Sequence, residues 1–165
     1  MGFFDKLFGK KETINSNHVY APMAGEAVAI TEVPDPTFAE GMLGNGIAIK
    51  PTDGKVCSPV NGTVDMMFDT GHAVSLVSDN GIEVLIHVGL ETVSLEGKPF
   101  KIHVQNGQKV KKGDLLMEAD LEAIQAAGLP TITPVLVCNT DDYTKFNTTT
   151  GKAVTNADVV IELGK

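Results

Sequence analysis

Two β-prone runs, Ala73-Val74-Ser75-Leu76-Val77 and Ile82-Glu83-Val84-Leu85-Ile86, flank the turn-forming Ser78-Asp79-Asn80-Gly81 and predict a hairpin. Successive side chains on a strand alternate between faces, so the loop length decides which residues stand opposite each other. With Val77 opposite Ile82, His72 falls directly across from His87. With Asn80-Gly81 as a two-residue type I′ turn, His72 moves across from Gly89 but keeps the face of His87. A three-residue loop with a bulge would part the two faces. The pattern puts Val74, Leu76 and Leu85 on the histidine face, and Ile82, Val84, Ile86 and Val88 on the other. Both faces are apolar, and the histidine face is expected to be the one reserved for a partner.

The rest of the chain supplies the frame. From His18 onward short strand signals alternate with turns, and one repeat stands out: Ala21-Pro22-Met23-Ala24-Gly25-Glu26-Ala27-Val28 echoes Ser58-Pro59-Val60-Asn61-Gly62-Thr63-Val64. Such a pair suggests two similar hairpin units folded around each other. With the turn Gly107 to Asp114, it resembles barrel-sandwich hybrid domains of the biotinyl and lipoyl type, although no attachment lysine stands at a hairpin tip. The expected fold is therefore all-β: an antiparallel sandwich of barrel-sandwich hybrid type, a duplicated hybrid motif with short helical segments. Phe38 and Met42, after Pro34 and Pro36, have helical spacing and predict an apolar ridge. Asp120 is expected to cap a short helix running to Ala127, closed by Gly128 and Pro130. Gly44-Asn45-Gly46 is followed by the strand-like Ile47-Ala48-Ile49, so no helix N-terminus is offered to a phosphate there.

At 165 residues the chain is most simply one domain, read as 18–165, preceded by a tail at 1–17. That tail holds Phe3, Phe4, Leu7 and Phe8 at helical spacing among Lys6, Lys10 and Lys11, a pattern suited to an anionic membrane surface or to a loosely packed terminus. It is too short to span a membrane and has no signal-peptide core, which predicts a cytoplasmic protein. A net charge of −8 argues against nucleic acid and suits either solubility or a basic partner. Cys57 and Cys138 form no CxxC and read as buried reduced thiols. His18 and His103 have no partner at matching spacing and read as surface or turn packing.

Two neighbouring imidazoles repel when both are protonated, so near neutral pH at least one stays neutral, with a ring nitrogen free to act as nucleophile or ligand. The string Gly81-Ile82-Glu83-Val84-Leu85-Ile86-His87-Val88-Gly89-Leu90-Glu91-Thr92-Val93, preceded by Thr70-x-His72, closely resembles the glucose-family enzyme IIA of the bacterial phosphoenolpyruvate-dependent sugar phosphotransferase system. The likeness runs from MGFFDKLF through APMAGE, VPDPTFAEGMLGNGIAIKP and SPVNGTV to TPVLVCN.

The resemblance implies a phosphocarrier that accepts a phosphoryl group from phosphorylated HPr and passes it to the IIB domain of a membrane sugar permease. It makes His87 the nucleophile through Nε2, with Nδ1–H held by the Gly89 carbonyl, His72 the supporting donor and Thr70 the group orienting His72. It places Phe38, Met42, Phe68, Val74 and Leu85 in a docking patch, with Asp35 and Glu91 as acidic groups near it. No cofactor is required by it, and it allows a zinc ion shared by His72, His87 and a partner's carboxylate. A zinc peptidase of the lysostaphin type would need His-x-x-x-Asp and His-x-His, but Leu76 and Leu85 stand at the required positions. A purely structural module with two core histidines is the remaining reading, and the length of the motif match displaces it.

Overall fold

The computed structural model describes residues 17–165, so the expectations for the tail up to residue 16 lie outside it. Fourteen strands form among these residues. The first half contributes β1 (His18–Tyr20), β2 (Gly25–Ala29), β3 (Asn45–Pro51), β4 (Lys55–Cys57), β5 (Gly62–Met67), β6 (Ala73–Ser78) and β7 (Glu83–His87). The second contributes β8 (Phe100–Ile102), β9 (Lys109–Val110), β10 (Leu115–Ala119), β11 (Thr133–Val137), β12 (Lys145–Thr148), β13 (Lys152–Val154) and β14 (Val159–Gly164). Two short helices, α1 (Pro36–Ala39) and α2 (Leu121–Ala126), complete the set with a few 3₁₀ turns.

An eight-stranded antiparallel sheet runs β13-β2-β3-β11-β7-β6-β5-β9, and two three-stranded sheets run β1-β14-β12 and β4-β10-β8. These orders map onto themselves when β1, β2, β3, β7, β8, β9 and β10 are exchanged for β4, β5, β6, β11, β12, β13 and β14. The register repeats as well: Gly25 pairs with Val154 as Gly62 pairs with Val110. At the sequence repeats the two units bond reciprocally, Tyr20 N–H to Pro59 O at 3.0 Å and Cys57 N–H to Pro22 O at 2.7 Å. The short Ala-Pro and Ser-Pro echoes therefore mark a true duplication of the fold.

Strand alternation assigns the faces of the large sheet. Ala27, Ile47, Ile49, Val135, Val137, Val84, Ile86, Val74, Leu76 and Val64 enter the main core on one side. Val28, Ala48 and Leu136 point the other way and pack, with Leu85 at the margin, beneath Ile30, Val33 and Phe38. The Pro-punctuated segment thus roofs one stretch of the sheet's outer face. Asp35 caps α1 by accepting from Thr37 N–H at 3.0 Å, and Pro36 follows at the first helical position. The helix ends at once: Gly41 sits at φ 76°, leaving Phe38 buried and Met42 70% exposed. The expected Phe38–Met42 ridge does not form, because the segment turns before a second helical turn is complete.

The hairpin between β6 and β7 also departs from expectation. Ser78 N–H donates to Ile82 O at 2.8 Å across a three-residue loop, Asp79 to Gly81, and Ala73 is the residue paired with His87. This is the register in which strand alternation would part the two histidines. It also carries Val74 and Leu76 across to the core side, opposite Ile86 and Val84, where both are fully buried. Val74 is therefore a core residue and not part of a docking patch.

Candidate functional site

The histidines meet because His72 lies beyond the end of the strand. Gly71, at φ 75°, turns the chain into β6, and the ladder proper begins at Ala73. His72 still anchors its backbone to the partner strand, its carbonyl accepting from Val88 N–H at 2.7 Å. Freed from the pleat, its ring reaches that of His87, with centroids 5.1 Å apart and planes at 78°. Phe38 packs on the His87 ring at 5.0 Å, and Phe68 presents an edge to His72 at 5.3 Å. Ring thus follows ring from Phe38 through His87 and His72 to Phe68.

Each imidazole is held at Nδ1. The Gly89 carbonyl lies 2.8 Å from His87 Nδ1, and the Thr70 hydroxyl is hydrogen-bonded to His72 Nδ1. A carbonyl can only accept, so His87 carries its proton on Nδ1 and keeps a lone pair on Nε2. Burial lowers the His72 pKa to about 4, assisted by the neighbouring His87. Burial also lowers His87, against the Gly89 carbonyl and the negative charges of Asp35 and Glu91, which favour its protonated form. Both shifts favour the neutral form of the rings. The arrangement offers a neutral nitrogen nucleophile beside a second neutral imidazole, walled by aromatic carbon.

The pattern of the EIIA 1 family of the phosphoenolpyruvate-dependent sugar phosphotransferase system matches residues 17–143. The chain belongs to this family. It is 47% identical over 158 residues to the glucose-specific EIIA component of Bacillus cereus, covering 96% of each chain. The EIICBA component of Streptococcus pneumoniae is 52% identical over 126 residues, 76% of this chain and 17% of that one. The solved glucose permease IIA of Mycoplasma capricolum superposes with a TM-score of 0.83 at 32% identity, covering 98% of both chains. The fold and the functional class are thereby established: this is an all-β IIA component, a phosphotransferase that carries phosphoryl groups in sugar uptake.

Within this IIA chain the singled-out residues separate into distinct settings. His72 is 7% exposed, while His87, Thr70, Phe68, Leu85 and Asp35 are half-buried. Glu91 is exposed and adopts a left-handed backbone at φ 62°, opening the 3₁₀ turn Thr92–Leu95. Phe38 is a wall of the site rather than a free rim, since it is 5% exposed. Exposed apolar side chains near these elements are Met42, Leu43 and Val93, with Ile102 against the Gly71 turn. Leu43 and Val93 were not singled out as docking residues because single apolar residues in turns carry no periodicity, and Ile102 was not because it closes a strand of three residues, too short to mark a face. Thr92 was visible only as the next-to-last letter of the motif, and its burial and bonding come from the fold.

Three further expectations change. Cys138 is exposed and Cys57 only half-buried, though partial burial raises both thiol pKa values. His103 Nε2 lies 2.7 Å from Glu118, and His18 Nε2 lies 3.7 Å from Glu162, so each has a carboxylate partner that sequence spacing did not reveal. Those partners sit across paired strands, Glu162 on β14 opposite His18 and Glu118 on β10, which pairs with β8 just before His103.

Proposed function

We propose that His87 is the phosphoryl acceptor of this IIA component. The observation that carries the reading is its Nδ1 held 2.8 Å from the Gly89 carbonyl with the His72 ring alongside. The Nε2 lone pair forms a bond to phosphorus of phosphorylated HPr while the donor's own P–N bond breaks, its electron pair returning to the donor nitrogen. The same exchange in the opposite sense hands the group from His87 to the IIB domain of a sugar permease. Thr70 O–H donates to His72 Nδ1, which leaves the His72 proton on Nε2, aimed at a phosphoryl oxygen. Phe38 and Phe68 supply apolar walls that, with a docked partner, shut out water during transfer.

Leu85, Phe68 and Met42 form the docking surface in this reading, with Asp35 and Glu91 supplying its negative charge. Glucose is the sugar served, on the strength of the relatives' names. HPr and IIB as partners require a cytoplasmic location, and the basic, apolar tail at 1–17 is the segment suited to approach an anionic membrane. Among the described residues no helix is long and apolar enough to cross one. For zinc, His72 and His87 would bring two nitrogens, and no cluster of three or more His, Cys, Asp or Glu side chains stands ready for a metal among the described residues. This chain alone does not complete a tetrahedral shell, so any zinc held there would be shared with a partner's ligands.

Incubation with phosphoenolpyruvate, enzyme I and HPr is expected to add one acid-labile phosphoryl mass. His87→Ala abolishes the label, whereas His72→Ala is still labelled but fails to pass phosphate to IIB. Retained labelling of His87→Ala would overturn the assignment.

A further inference from the structure

We propose that Thr92 is a positioning residue that fixes the proton of His87 on Nδ1. The inference rests on the reading of His87 as nucleophile and asks what holds the carbonyl that defines it. A loop carbonyl turns with its peptide plane, so a hydrogen bond from His87 selects a tautomer only if that plane is itself pinned. Thr92 is fully buried, one turn beyond the nucleophile, and its hydroxyl donates to the Val88 carbonyl at 2.6 Å. Val88 N–H is meanwhile bonded to His72 O at 2.7 Å. Both sides of Val88 are therefore tied, one to the supporting histidine and one to Thr92.

The next peptide plane is gripped from its other edge. Leu90 N–H, which shares a plane with the Gly89 carbonyl, donates to Pro130 O at 3.2 Å. In a trans peptide the N–H and C=O point opposite ways, so a pull toward Pro130 aims the Gly89 carbonyl back at the His87 ring. Gly89 itself sits at φ 75° in a space closed by Thr92: a Cβ there would lie 2.7 Å from Thr92 Cγ2 and 2.8 Å from Pro130 O. The methyl of Thr92 packs where no side chain fits, and its hydroxyl sets the plane before it. Without this clamp the imidazole proton distributes over both nitrogens, and every molecule carrying it on Nε2 has no lone pair to offer.

The test uses the full chain with ¹⁵N-labelled histidine, reading the His87 tautomer by long-range ¹H–¹⁵N NMR at about pH 7.5, where neutral imidazole dominates. Uptake from phosphorylated HPr is measured in parallel. Thr92→Val removes the hydroxyl at nearly constant shape. It is expected to give a mixed His87 tautomer and about a tenfold lower kcat for uptake, with KM for the donor little changed. Thr92→Ser keeps the hydroxyl and should hold the Nδ1–H tautomer and a rate close to that of the parent. Should Thr92→Val fail to fold, Thr92→Ala carries the same expectation of a mixed tautomer and slower uptake. A pure Nδ1–H tautomer with the parent rate in the hydroxyl-free variant, or a Thr92→Ser protein as impaired as Thr92→Val, would overturn the proposal. If His87→Ala still takes up phosphate, the nucleophile reading fails instead, and the tautomer measurement continues to decide the role of Thr92.

Discussion

Neutrality is the property that makes two adjacent imidazoles useful, and it is set residue by residue. His72 owes its pKa of about 4 first to burial and then to its neighbour. The sign of the resulting pH dependence follows from linkage. Above 6.5 the ring is neutral in both folded and unfolded chains, so its contribution is constant. Between 6.5 and about 4 the unfolded chain binds a proton that the folded chain refuses, and stability falls as pH falls. We expect His72→Gln to show a shallower loss of the urea midpoint across that window, by a slope approaching one proton. Equal slopes for the two proteins would contradict the burial argument. The residue types and the motif spacing made this pair legible in the sequence. The tautomer was reached only through the family resemblance and not from the residues themselves, because it depends on where the Gly89 carbonyl points, and a backbone carbonyl leaves no trace in a list of side chains.

At the scale of elements, the hairpin and the roof over it teach different lessons. Strand existence was readable from β-branched runs and turn residues, but the register was not, since Asp79-Asn80-Gly81 permits loops of more than one length. The three-residue loop sent Val74 and Leu76 to the core. The histidines nevertheless met, because β6 begins only at Ala73, one residue after His72, so the pleat does not fix where the His72 ring points. The roof is a capped single turn, α1, that buries Phe38 against His87. Phe38→Ala should therefore cost about 3 kcal/mol of stability and also slow phosphoryl uptake, because the cavity opens beside the His87 ring. Met42→Ala, at a 70% exposed side chain, should leave the urea midpoint nearly unchanged. Denaturation curves of the two variants, compared side by side, check whether Phe38 is wall or rim.

Over the whole molecule, the net charge of −8 and the half-buried Asp35 and exposed Glu91 beside the site favour a basic donor surface. Uptake kcat/KM is expected to fall as added salt shortens the screening length from about 30 Å to about 8 Å, with kcat little affected. A salt-independent kcat/KM would show that encounter is not steered. The duplication has its own consequence for how the site arose in space. β7 and β11 stand at the centre of the large sheet as equivalents, yet His87 ends one and Val137 ends the other. Along the strand order of the large sheet, one side thus carries His87, and the other supplies Leu136 and Ala48 beneath the roof. The sequence by itself determined the all-β class, the repeat, the family and the histidine pair on which the proposed phosphoryl transfer rests, since these follow from residue type and short-range spacing. Only the tertiary structure decided the loop register, the face each apolar residue serves and the clamp around Gly89. Those depend on hydrogen bonds between backbone groups far apart in the chain, from Val88 to His72 and from Leu90 to Pro130, whose partners no local pattern names.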